Sequence, residues 1–186
     1  IELIAVLEPD IHNFEKIIIW GNKDTLESLK SASWLIKITL NELQMSLVFR
    51  FLWQRFKLSH SAKAYECDIL LIPGGSFSCS FRPIVTMSRN MLPFEWIEAK
   101  RYGLSKITLR IIILRWLQSK SFRSASGVIF LTNYAKNQVA KVTGELPGKK
   151  SIIPHGFNPR FLMEPKEQFE ISHYSDENPY QLLYVS

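Results

Sequence analysis

Four polar segments in this chain each follow an apolar run, and each offers groups suited to holding an anion or a sugar. Pro73-Gly74-Gly75-Ser76 follows DILLI at 68–72. Adjacent glycines let backbone N–H groups approach a phosphate or a sugar closely, although a plain tight turn uses the same residues. Ser88-Arg89-Asn90, with Pro93 and Glu95 after it, follows the expected strand IVTM at 84–87. It offers a guanidinium and an amide to an anionic or hydroxyl-rich ligand, the alternative being a surface loop closed by its own turn. Thr132 follows GVIFL at 127–131, where a helix N-cap belongs, and His155-Gly156 follows SIIP at 151–154. His155 is placed to donate a hydrogen bond to a phosphate or sugar, or is an ordinary loop histidine.

Several chemistries are excluded or disfavoured by what is missing. Neither G-x-G-x-x-G nor G-x-x-x-x-G-K-[ST] occurs, so a dinucleotide fingerprint and a P-loop are ruled out as motifs. GSFSC does not match the G-x-S-x-G elbow of a serine hydrolase. The histidines at 12, 60, 155 and 173 include no pair at helical ligand spacing, and Cys67 and Cys79 form no C-x-x-C, so neither a metal site nor a redox pair is expected.

The elements that must position these groups alternate. IELIAVL at 1–7 and KIIIW at 16–20 are near-continuous apolar runs suited to strands buried on both faces. Asp24 is expected to cap a short helix reaching about Leu29, and WLIKI at 34–38 to form another strand. Asn41 then opens a helix to about Phe56, with Leu43, Leu47, Phe51 and Leu52 on one stripe and with Phe49, Phe51, Trp53 and Phe56 serving packing. Strands are expected at 68–72 and 84–87, their polar loops on one rim. A helix at 105–122, apolar on nearly every side, should pack between the sheet and another element with its cations reaching outward. A strand at 127–131, a helix from Asn133 to about Val142 with Gly144 at its C-cap, and a strand at 151–154 complete a βαβ unit. The pattern predicts an α/β class: a doubly wound, Rossmann-like, mainly parallel sheet, with ligand groups beyond the carboxyl ends of its strands. On that geometry Thr132, His155 and Gly156 would share one rim.

With 186 residues, 46% hydrophobic and 22% charged, the chain is long enough to bury a real core and is not disordered in composition. Its two unpaired-looking cysteines suggest a reducing, cytoplasmic compartment. No apolar stretch approaches the roughly 20 residues that span a bilayer. The net charge of +6 is uneven, because residues 99–144 hold no Asp or Glu but carry Lys100, Arg101, Lys106, Arg110, Arg115, Lys120, Arg123, Lys136 and Lys141. Such a field draws anionic lipid headgroups, diphosphates or nucleic acid, although a solvated helix face has the same composition. Nucleic acid is the weakest of these partners, since no nucleic-acid motif accompanies the charge. The stretch 162–179 is acidic and poor in aliphatics, as a linker is, and 180–186 reads as a strand cut in mid-element. The expected organisation is therefore an N-terminal domain at 1–161, a linker at 162–179 and the first strand of a truncated further domain at 180–186.

Taken in order, DILLIPGG, VTMSRNMLPFE, the arginine-rich helix, GVIFLTNYAKNQV, IIPHGFNPRF and YQLLYVS resemble successive landmarks of the group 1, family 4 glycosyltransferases of the GT-B fold, over about residues 68–186. Thr132, Tyr134 and Lys136 match the family's strand–Ser/Thr–helix motif, and Pro154, His155, Gly156 and Asn158 match its I-P-(N/H)-G-V-(D/N) turn. The resemblance implies the N-terminal, acceptor-side half of a GT-B enzyme. Such an enzyme is a hexosyltransferase that moves a sugar from a nucleotide-sugar donor to a glycan or lipid-linked acceptor with retention and without a bound metal or other cofactor. It places acceptor binding at Gly74, Gly75, Ser76, Arg89, Asn90 and Glu95. It places the interdomain cleft at Thr132, His155, Gly156 and Asn158. Arg89 falls where many relatives carry a histidine, which favours acceptor or phosphate binding over catalysis there. The donor-nucleotide half would lie beyond Ser186, so residues 1–186 alone are expected to be inactive. The family context is cell-surface polysaccharide or glycolipid synthesis, cytoplasmic or peripheral on an anionic membrane face. Two other readings share the architecture: a GT-B sugar-nucleotide epimerase, for which carboxylates other than Glu95 are scarce, and a non-catalytic module that binds glycan or lipid.

Overall fold

The computed structural model describes residues 2–40, 47–156, 162, 164 and 169–180. The chain divides into two compact units, Ile1–Pro154 and His155–Ser186. The first is mixed α/β and is built on two parallel sheets.

The smaller sheet pairs β1 (Ile17–Gly21) with β2 (Leu35–Thr39), Ile17 opposite Leu35. Between them runs α3 (Lys23–Glu27), preceded in the chain by the one-turn helices α1 (Glu2–Ala5) and α2 (Pro9–His12). Leu26, Leu29 and Leu35 form its core, with Ile17, Ile19 and Trp34 packed around them. The larger sheet holds β3 (Leu70–Ile72), β4 (Ile84–Ser88), β5 (Gly127–Phe130) and β6 (Lys149–Ile152), all parallel and in sequence order. Helices α4 (Leu47–Phe56) and α5 (Leu58–Ala64) lead into it. Helices α6 (Trp96–Lys100) and α7 (Lys106–Ser124) join β4 to β5, and α8 (Asn133–Thr143) joins β5 to β6.

Register decides which residues make the core. Leu70 pairs with Ile84, Ile72 and Val128 both with Thr86, and Ser88 with Phe130. Alternation along each strand therefore puts all of them on one face. Leu58 and Ala62 of α5, Phe122 of α7, and Ala135 and Val139 of α8 belong to the buried clusters that this face forms. The rings of Phe94 and Phe122 stack at 5.8 Å, and Phe130 meets Phe122 edge-on at 6.4 Å. Each such aromatic contributes on the order of 1.5–3 kcal/mol by leaving water. Thr86, the polar residue in the middle of this layer, donates its hydroxyl to Ile72 O at 2.8 Å and so carries no unmet hydrogen bond. The opposite face carries Val85, Met87 and Ile129, half-buried, and Leu71, exposed.

Four expectations need correction. Of the strand expected at 1–7, the described residues 2–7 form none and contain α1 instead, because Glu2, Leu3 and Ala5 are helix formers and a short apolar run has no period that would distinguish the two states. Asn22, not Asp24, caps α3, its Oδ1 accepting from Thr25 N at 3.1 Å. The chain leaves β1 extended at Asn22, and Asp24 lies in the first turn, where its charge suits the helix N-terminus. The start of the expected helix at Asn41, and Leu43 with it, lies outside the described residues. Of α4, Trp53 is buried, whereas Phe49, Phe51, Leu52 and Phe56 are exposed. Finally, α7 is not enclosed. Ser105 caps it, its Oγ accepting from Thr108 N at 3.3 Å, and Ile111 and Phe122 are buried, yet Leu109, Ile112, Ile113 and Trp116 stand in solvent. Its inner side instead takes Gln118, Ser119 and Ser121, and the Ser121 hydroxyl accepts from Phe77 N at 3.0 Å, so polar residues hold the loop after β3 against the helix.

In the second unit a 3-10 turn spans Ile171–His173, the Phe169 ring lies 5.8 Å from that of His173, and Tyr174 meets Tyr180 edge-on at 5.0 Å.

Candidate functional site

Parallel pairing in sequence order puts the carboxyl ends of β3, β4 and β5 at one edge of the sheet, and the polar segments that follow them start from that edge. After β3 the chain turns through Pro73-Gly74-Gly75-Ser76. Gly75 has φ +74°, in the left-handed region that glycine adopts without strain. It is also buried: a Cβ there would stand 3.2 Å from Met87 O and 3.3 Å from Gln118 Nε2. The turn is thus laid against the end of β4. Gly74 is exposed with nothing within 4 Å of its Cβ position, and Ser76 is half-buried.

After β4 the chain exposes Arg89 and Asn90. Arg89 has no ion-pair or hydrogen-bond partner among the described residues. Asn90 Oδ1 accepts from Leu92 N at 3.0 Å, closing a local turn, and the residue is exposed. A 3-10 turn at Leu92–Phe94 follows, with Pro93 and Phe94 buried. Arg115 of α7 steadies it, donating from Nη1 to Pro93 O at 3.2 Å with its guanidinium 5.9 Å from the Trp96 ring centroid.

After β5, Thr132 caps α8 with Oγ1 accepting from Ala135 N at 3.0 Å, an interaction worth about 1 kcal/mol. Its hydroxyl proton remains available to a ligand. Tyr134, in the first turn of α8, is exposed and interacts with half-buried Glu95. A hydrogen bond to that carboxylate, followed by desolvation and the carboxylate's charge, holds the phenol above its ordinary pKa.

Gly75, Glu95 and Thr132 are therefore brought to one edge, with Arg89 and Asn90 between them in strand order. His155 and Gly156 are exposed and belong to the second unit, and Asn158 lies outside the described residues. Sequence reasoning did not assign site roles to Tyr134, Arg115 or Gln118. Gln118 is 6% exposed beside Gly75, and its Oε1 has no hydrogen-bond partner among the described residues. Its signal was an amide seven residues after buried Ile111, on the same helix face.

Chemically this edge can bind hydroxyls and an anion. It offers a cation, amide and hydroxyl donors, and one carboxylate. Among the described residues no group of three or more His, Cys, Asp or Glu could hold a metal ion. Two hollows in the described residues lie elsewhere. One of about 450 Å³ is beside Pro9, Asp10, Asn13, Phe14 and Glu15, and one of about 190 Å³ is beside Phe49, Leu52, Trp53, Phe56 and Lys57. The first is an open polar dish and the second is apolar, and neither includes a residue of the strand-end edge. Comparison with protein-family models, with curated proteins and with solved structures gave no match.

Proposed function

We propose that this chain is the acceptor-side, Rossmann-like half of a GT-B hexosyltransferase that moves a sugar, with retention, from a nucleotide-sugar to a glycan or lipid-linked acceptor. The observation that supports it most is the juxtaposition of three strand ends, carrying the Gly75 turn, Arg89 with Asn90, and Thr132 with the Tyr134–Glu95 pair. An open edge of this kind suits an acceptor whose second wall is supplied by a donor-binding domain. Closing the two together would exclude water and strengthen the field of Arg89 at an acceptor phosphate.

In this reading the turn at Gly74 and Gly75 brings backbone donors near acceptor hydroxyls, while Arg89 and the Asn90 amide orient the acceptor. Glu95, tied to Tyr134, accepts from a sugar hydroxyl. His155, Gly156 and Asn158, which come after β6 in sequence, are assigned to the interdomain cleft by the family resemblance alone. No metal is required, since positioned donors and cations can carry the developing charge. In this reading the enzyme works in polysaccharide or glycolipid synthesis on the cytoplasmic side of a membrane.

The assignment of Arg89 is tested by steady-state kinetics on the full gene product. Arg89→Ala should raise the acceptor KM by about tenfold or more, the loss of one charge-assisted hydrogen bond, and leave the donor KM unchanged. Equal acceptor KM values in the two proteins would remove Arg89 from the acceptor site.

A further inference from the structure

Helix α7 has its apolar residues on the outside. Leu109, Ile112, Ile113 and Trp116 are between 42% and 62% exposed, and their spacing of three, four and seven residues stacks them in one stripe. The opposite side of the same helix buries Gln118, Ser119 and Ser121 beside Ile111 and Phe122. A helix that sends serines and an amide inward and a tryptophan with three large aliphatics outward has two apolar contacts to satisfy, and the sheet satisfies only one. Leu104, just before the helix, is fully exposed, and Ile97 of the neighbouring α6 is 79% exposed.

What covers the stripe is indicated by its border. Lys106, Arg110 and Lys120 are exposed along its edges, and Lys120 Nζ lies 5.4 Å from the Trp116 ring centroid. No Asp or Glu occurs anywhere in residues 99–144. A second copy of the chain, joined stripe to stripe about a two-fold axis, would bring these cations against their own images with no acid to offset them. An anionic bilayer has the complementary arrangement, with negative headgroups for the cations and an acyl boundary for the apolar side chains. No helix among the described residues is long and apolar enough to cross a membrane, so the fitting mode is a helix lying in the interface.

We propose that α7 is a lipid-docking surface. Leu109, Ile112, Ile113 and Trp116 enter the headgroup–acyl boundary of an anionic bilayer, and Lys106, Arg110 and Lys120 engage its phosphates. The surface stands on α7 alone and holds whether or not the chain transfers sugar.

Vesicle flotation of the 186-residue chain tests it, with phosphatidylcholine alone and with phosphatidylcholine containing a third phosphatidylglycerol. The chain should bind the anionic vesicles more tightly. Because each cation near such a surface is worth about fivefold in affinity, the triple variant Lys106→Glu, Arg110→Glu, Lys120→Glu should bind them at least about 100-fold more weakly and lose the preference for phosphatidylglycerol. The double variant Ile112→Ser, Ile113→Ser should weaken binding by about tenfold or more with its cations intact. All five side chains are exposed, so circular dichroism should show the fold retained. Brominated lipid should quench the wild-type tryptophan emission, and Trp116→Phe should abolish that quenching. Absence of wild-type binding overturns the proposal, as does equal binding by either multiple variant. A dimer that the serine variant dissociates, without vesicle binding, assigns the stripe to a second copy instead.

Discussion

Tyr134, in the first turn of α8, is the group of the strand-end edge whose ionisation the Glu95 carboxylate shifts upward. Its phenol interacts with the Glu95 carboxylate, which favours the neutral, hydrogen-donating form and holds the pKa above the ordinary value near 10. As pH rises, Tyr134 should therefore ionise later than a free tyrosine. Glu95→Gln removes the charge and should bring the titration down. Carbon-13 NMR of the tyrosine ring carbons checks this, with Tyr134→Phe identifying the resonance. A Tyr134 that titrates at the same pH with and without the Glu95 carboxylate would mean that the pair does not form. At this scale the sequence was readable where one residue's role is local. Thr132 announces itself as an N-cap, and Arg89 with Asn90 as a polar strand end. The Tyr134–Glu95 and Gln118–Gly75 approaches were not readable, because they join residues separated by whole elements, and nothing local in either partner specifies the other.

Packing between elements makes its own demand at Gly148, where the chain enters β6. A Cβ there would stand 2.4 Å from Ala125 O and 2.9 Å from Ser126 C and O, all backbone atoms at the entrance to β5. Neither strand can yield without disturbing their pairing, which begins with Lys149 opposite Gly127. Gly148→Ala should therefore cost about 1–3 kcal/mol, typical of overpacking, and lower the melting temperature by roughly 2–4 °C per kcal/mol. Gly74→Ala, with nothing within 4 Å, should leave it nearly unchanged. Thermal denaturation followed by circular dichroism separates the two, and equal melting temperatures for both variants would contradict the close approach at Gly148. The elements β3 to β5, α7 and α8 were legible from apolar runs, caps and turn residues, each a local signal, whereas β6, expected as a buried strand at 151–154, runs instead over Lys149–Ile152 with none of its residues buried, because its pairing opposite β5 begins at Lys149. What failed was inference from apolar content alone. The run at residues 1–7 suited either state, and α7 read as enclosed because it is apolar on nearly every side, whereas the side that the fold buries includes Gln118, Ser119 and Ser121. The aromatics of α4 misled in the same way, since only Trp53 is buried among the described ones.

For the molecule as a whole, alternation of strands and helices predicted the α/β class and the parallel pairing, and the first unit has both. The separation into a two-stranded and a four-stranded sheet was not foreseeable from local pattern, because strand neighbours are chosen by long-range packing. The functional account rests on the four-stranded sheet, whose strand ends gather the polar segments at one edge and whose helix α7 turns an apolar, cation-edged side outward. The most direct test is nucleotide release by the full gene product, assayed against a panel of nucleotide sugars with extracted lipid and glycan acceptors. The account predicts release from at least one donor that requires an acceptor and falls when Arg89 is replaced by Ala. No acceptor-dependent release under any pairing would contradict it.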